Sequence, residues 1–198
     1  MADRYRNFAD LAASEVDGVD YRIRFVDRPS SILVMAPHGG CIEPTTSEIA
    51  AAIAGDDHVL YRFEGLKPER PHADLHLTSR HYDEPQAVAA VAKADIVIVV
   101  HGRQDREDPA TVWLGGGNRP LRIAMGQSLI AAGFSAITGG HPLRGDDPAN
   151  ICNRGRHHGV QLEVPRGLRD ALGQDTEQLA RFATAVRGAL AALPADHP

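Results

Sequence analysis

The stretch SILVMAPHGGCIEPTTSEIA, residues 31–50, decides how the rest of the chain is read. Ile32 to Ala36 form an unbroken apolar run that stops at Pro37-His38-Gly39-Gly40. Such a run, too short for a helix and bounded by Pro and Gly, is expected to be a strand buried on both faces. Glu43 follows His38 by five positions, and SEIAAAIAG (47–55) then reads as a helix ending on Gly55. The two glycines are expected to let the backbone turn between the histidine and the carboxylate.

Outward from this stretch, strands and helices alternate. YRIRFVDR (21–28), HVLYRFEG (58–65) and DLHLTS (74–79) alternate at period two, as strands do. DEPQAVAAVAKA (83–94) reads as a helix with Asp83 as its N-cap and Pro85 in its first turn. DIVIVV (95–100) is the most apolar segment and is placed at the sheet centre. TVWLGG (111–116), FSAITGG (134–140) and VQLEVP (160–165) are read as strands. RPLRIAMGQSLIAAG (119–133) and TEQLARFATAVRGALAAL (176–193) are read as helices. The alternation predicts an α/β fold, a three-layer sandwich with a mixed, mostly parallel central sheet, in a single domain over 1–198.

Composition narrows the function classes. The 21 Lys+Arg against 26 Asp+Glu give a formal charge of −5, with no long basic run to neutralise a row of phosphates. A nucleic-acid or anionic-membrane partner is therefore disfavoured. No segment reaches the roughly 20 apolar residues of a membrane helix. The polar start MADRYRNFADLAASEVDG is not of signal-peptide type, so a cytoplasmic location is expected. Two cysteines far apart, Cys41 and Cys152, do not build a disulfide framework.

Chemistry in sheets of this kind gathers beyond the carboxyl ends of the strands. Three candidate groups lie there: His38 with Glu43, His101 after DIVIVV, and Glu163 inside VQLEVP. Two imidazoles and a carboxylate are the ligand set of several catalytic zinc sites, which leave a fourth position for water. Glu163 in an apolar strand is costly to bury unless it is paired or used, and moving a proton would use it. Asp105 and Glu48 are candidate acceptors to orient the imidazoles. NICNRGRHHG (150–159) concentrates Asn153 and Arg154, and Arg103 and Arg166 also follow strands; a bidentate arginine suits a substrate carboxylate or a developing oxyanion. Each has a plainer reading, since one strand-end histidine is commonly structural and Glu43 could simply favour a helix start. His58, His72, His76, His157 and His158 receive no role.

The segments APHGGCIEPTTSEIA, LHLTSRHYDEP, VIVVHGRQD and NICNRGRHHGVQLEVPRGLR together resemble the phage-type poly-γ-glutamate hydrolase family, in matching order from about residue 5 to the final helix. The resemblance implies a zinc carboxypeptidase-like fold and cleavage of γ-glutamyl amide bonds. It implies one Zn²⁺ held by His38, Glu43 and His101, with Glu163 as general acid/base. Arg154 and Asn153 become the first choice for gripping a glutamyl carboxylate, with Arg166 and Arg103 in reserve. The chain departs from the family pattern at Cys41 and at Arg80-His81. Two rivals remain open: a zinc deacylase or carboxypeptidase acting on a small N-acyl amino acid or peptide, and a non-catalytic binding module on the same scaffold.

Overall fold

The structure, a computed structural model, describes residues 3–192. Its central sheet has seven strands in the order β1-β3-β2-β4-β7-β5-β6. These are β1 (Tyr21–Val26), β2 (Ile32–Gly40), β3 (Val59–Gly65), β4 (Ile96–Arg103), β5 (Val112–Gly115), β6 (Ala136–Ile137) and β7 (Gly159–Pro165). Pairs β3·β2, β2·β4, β4·β7 and β5·β6 are parallel, whereas β1·β3 and β5·β7 are antiparallel. The sheet is thus mixed and mostly parallel.

The apolar runs are continuous because both faces of the central strands are covered. On one face Val34, Ile98, Val100 and Leu162 pack with Ile49, Leu121, Leu172 and Phe182. Those last four come from α2 (Thr46–Ala54), α4 (Arg119–Ala131), α5 (Arg166–Gln174) and α6 (Thr176–Ala191). On the other face Leu33, Met35, Val97 and Val99 pack with Leu11 of α1 (Phe8–Ala12) and with Ala87 and Val91 of α3 (Pro85–Lys93). Full burial of one such side chain contributes about 1.5–3 kcal/mol. The three-layer expectation matches this architecture.

Several local expectations shift. The segment expected as a strand over 74–79 is a single 3₁₀ turn at His72–Asp74 followed by irregular chain. Its alternation is real, since Leu75 and Leu77 are buried, but the Leu77 carbonyl goes to a histidine side chain instead of a sheet ladder. The strand expected over 134–140 shrinks to Ala136–Ile137. Glu84, not Asp83, caps α3, accepting from the Gln86 and Ala87 amides. Asp83 instead accepts from the Phe8 amide at 2.6 Å. Helices α1 and α5 were not anticipated, and the expected end of the closing helix at residue 193 lies outside the described residues.

The glycines of the opening stretch do more than turn the chain. Strand β2 runs on through Gly40, pairing Gly39 with Glu64 and Gly40 with Gly65 after a register shift. A Cβ on Gly39 would sit 2.1 Å from Ser47 Oγ, and one on Gly40 would sit 2.4 Å from the Gly65 carbonyl oxygen. Gly40 also has φ of 60°, a conformation costly for other residues. The turn follows, with the Ile42 amide donating to Gly39 O and the Glu43 amide to His38 O at 2.9 Å. That last bond folds Glu43 back beside His38.

Candidate metal centre

His38, Glu43 and His101 converge at the carboxyl ends of β2 and β4. The Nδ1 atoms of His38 and His101 are 3.1 Å apart. Glu43 Oε2 lies 3.5 Å from His38 Nδ1 and 3.8 Å from His101 Nδ1. Donors about 2.0–2.1 Å from a tetrahedral zinc ion stand about 3.3 Å from one another, so this triangle fits such an ion.

The rings are turned to present these nitrogens. His38 Nε2 donates to the Leu77 carbonyl at 2.8 Å, and since a carbonyl only accepts, the Nδ1 lone pair of the neutral ring is left free. His101 Nε2 is 3.0 Å from Ser79 Oγ. Both orienting partners therefore come from the irregular segment after Leu75, not from Asp105 or Glu48. Asp105 accepts from the Gly167 amide, and Glu48 is exposed on α2. The Gly102 amide donates to Glu43 Oε2 at 2.8 Å. Behind this loop the buried Arg169 donates to the carbonyls of Pro44 and Val164. Its guanidinium occupies the space a side chain at residue 102 would need, since a Cβ there would be 2.7 Å from Arg169 Cζ.

The electrostatics match a cation site. Burial alone would raise the Glu43 carboxyl, but the imidazoles of His38, His101 and His72 outweigh it and hold its pKa well below the usual carboxylate range. Burial opposes charge on His101, yet Glu43 and Glu163 together hold its pKa above the ordinary value.

Glu163 occupies the next strand. In the sheet register His101 of β4 faces Glu163 of β7, which faces Trp113 of β5, so the three side chains share one face. Gln161, two residues earlier, donates from Nε2 to Glu163 Oε1 at 2.8 Å. Burial pushes the Glu163 carboxyl up to about 7; the positive charges of His101 and Arg103 pull against this, and Glu43 adds to it. A carboxyl poised there can accept and return a proton near neutrality.

The expected substrate-gripping residues, Arg154, Asn153, Arg103 and Arg166, have the following partners. Arg154 donates to the carbonyls of Ala149, Tyr82 and Arg80, pinning the segments around residues 80–82 and 149–154 together. Asn153 is buried and ties the Gly117 amide to the carbonyls of Gly145 and Asp147. Arg103 is buried, donates to the carbonyls of Gln104, Asp105, Asp108 and Thr111, and lies 3.9 Å over the Trp113 ring. Arg166, the first residue of α5 just after β7, is exposed and pairs with Asp170 at 2.7 Å. The structure thus brings His38, Glu43, His101 and Glu163 together, and commits Arg103, Asn153 and Arg154 to loop geometry.

Two histidines without a role in the sequence reading also gather here. The His76 ring lies 4.0 Å from the His38 ring, and the His72 ring lies 4.5 Å from that of His76. His38, Glu43 and His76 also offer donor atoms within 4.8 Å of one another. The His101 distances are shorter, and His76 Nδ1 is held by Asp3 Oδ1 at 2.6 Å, so His101 completes the tighter triangle.

The mixed seven-stranded sheet and its helical layers define an α/β fold of the carboxypeptidase-like kind. A metallo-carboxypeptidase structure from Burkholderia cenocepacia shares that fold at a TM-score of 0.52, with 14% identity over 85% of this chain and 59% of its own. Within that class the chain belongs to the poly-gamma-glutamate hydrolase family, whose profile matches residues 5–187. A bacteriophage poly-gamma-glutamate hydrolase structure superposes with a TM-score of 0.90 and 32% identity, covering 96% of this chain and 97% of that one. A structure described as YndL in an apo, zinc-free form gives a TM-score of 0.88 and 32% identity, over 96% and 98% of the two chains. UPF0714 protein YndL of Bacillus subtilis is 36% identical over 173 residues, 86% of this chain and 67% of its own length. The SPbeta prophage-derived UPF0714 protein YoqZ of the same organism is 36% identical over 82% of this chain; the chain spans 59% of its length.

Proposed function

We propose that this chain is a zinc-dependent hydrolase that cleaves γ-glutamyl amide bonds in poly-γ-glutamate. The observation that carries the reading is the convergence of His38 Nδ1, His101 Nδ1 and Glu43 Oε2 beside a buried Glu163 whose pKa is about 7. Family membership and the zinc-free description of a similar structure support zinc as the ion. Zinc bound by these three residues would supply a Lewis acid and an activated water at neutral pH.

The remaining chemistry falls to the chain's own side chains. Glu163 Oε1 is held by Gln161, which leaves Oε2 as the oxygen that takes a proton and returns it to the leaving nitrogen. Arg103, through its carbonyl bonds, fixes the loop after β4 and the Trp113 wall beside Glu163. Arg154 and Asn153 brace the loops around residues 80–82, 117 and 145–149. Arg166 is the exposed guanidinium just after β7 and is assigned to a substrate carboxylate, which suits an anionic glutamyl polymer.

Incubation of zinc-loaded protein with poly-γ-glutamate, with product sizes followed over time, tests this reading. Oligomeric products support it, whereas release only of small N-acyl fragments from short substrates favours the deacylase alternative. A protein that binds no zinc and leaves both substrates intact is a binding module.

A further inference from the structure

Glu43 has two carboxylate oxygens, and the triad uses only one. Oε2 faces His38 and His101, while Oε1 lies 3.3 Å from His72 Nε2. Beside His72 stands His76, ring centroids 4.5 Å apart. His76 is set up as metal-binding histidines are: its Nδ1 is anchored on the Asp3 carboxylate at 2.6 Å, leaving Nε2 for another partner. The other Asp3 oxygen accepts from the Thr78 amide at 2.6 Å, so the anchor is itself fixed to the backbone. The His76 donor atom lies within 4.8 Å of those of Glu43 and His38. His72 is half exposed, which opens the group to solvent.

We infer that Glu43 Oε1, His72 and His76 form a second divalent-cation subsite, with Glu43 bridging it to the ion of the His38–Glu43–His101 triangle. Two imidazoles and a carboxylate select a borderline cation such as Zn²⁺ or Co²⁺ over Mg²⁺ or Ca²⁺. The subsite is the weaker of the two: His72 must be ordered from a half-exposed position, and Glu43 already serves one ion. It fills after the triangle, when the cation is in excess. The inference rests on the triangle being a metal site but goes beyond it.

The test is a calorimetric titration of metal-free full-length protein with Zn²⁺, with bound ions counted after equilibration in excess metal. Wild type is expected to show two classes of site and two ions per chain. His72→Ala should weaken the second class at least about 100-fold, more than the 10–100-fold cost of losing an outer partner, and leave one ion per chain. His72→Gln, which keeps a polar group at this half-exposed position, should do the same and guards against a folding artefact. Loss of the tight class in His101→Ala reports on the triangle, so failure there is distinguishable from failure here. A single ion per chain in wild type at saturation, or two ions retained in both His72 variants, would overturn the inference.

Discussion

His101 and Glu163 face each other in register on the neighbouring parallel strands β4 and β7, so the sheet itself sets a proposed metal ligand beside a proposed proton carrier. Neither depends on a loop for its position. If Glu163 moves the proton, Glu163→Gln should lower kcat by at least about 100-fold, the smaller end of what general acid–base catalysis contributes. Zinc content should stay at the wild-type level. Full turnover by a zinc-loaded variant would remove Glu163 from the mechanism.

The same carboxyl makes the metal-free fold pH-sensitive. Glu163 ionises near 7 when folded and near 4.5, the ordinary value of a glutamate side chain, when unfolded. Between these values the folded chain keeps a proton the unfolded chain has released, so this contribution favours folding less as pH rises and is fully unfavourable above about 7. The gap corresponds to a ceiling of about 3 kcal/mol. Urea denaturation of metal-free protein should therefore show Glu163→Gln gaining on wild type at pH 8 relative to pH 5. An identical difference at both pH values would contradict the assignment.

Ser79 Oγ, 3.0 Å from His101 Nε2, should matter to metal binding more than to folding. Loss of such an orienting partner typically costs 10–100-fold in metal affinity. Ser79→Ala should weaken zinc binding by roughly that factor in a competitive chelator titration while its melting temperature stays near wild type. Unchanged affinity would show that His101 is oriented by packing alone.

Gly40 joins a φ of 60° to a carbonyl oxygen 2.4 Å from where a Cβ would be. Gly40→Ala should destabilise the protein by about 1–3 kcal/mol, because backbone on both sides must shift. Chemical denaturation measures this directly. The variant should also bind zinc less well, since the turn after Gly40 carries Glu43.

Arg166→Ala should raise KM for poly-γ-glutamate about tenfold and leave kcat nearly unchanged, the pattern of lost ground-state contact. Its exposed pair with Asp170 contributes little to folding, so stability should barely move. A fall in kcat at constant KM would give Arg166 a different role.

Much of this was legible in the sequence because it was local. The apolar runs marked the central strands, and His38 and His101 announced themselves as the first imidazoles after those runs, although both strands continue past them. What the sequence hid came from distant contacts. LHLTS alternates like a strand, yet its Leu77 carbonyl and Ser79 hydroxyl serve two imidazoles on other strands. Arg154 sits in a cationic cluster, but its donors meet carbonyls more than 70 positions away as well as nearby. His72 and His76 carried no signal alone, and they join the site only because the chain after β3 folds over Glu43. Gly39 and Gly40 looked like a hinge, and their closest constraint proved to be the approach of β3 and α2.

In the proposed mechanism His38, Glu43 and His101 hold the catalytic ion. The most direct measurement is an anomalous-scattering map at the zinc edge from crystals of zinc-replete protein. The account predicts a peak bounded by His38 Nδ1, His101 Nδ1 and Glu43 Oε2, each about 2.0–2.2 Å from the ion. A zinc-replete crystal with no peak inside that triangle would contradict it.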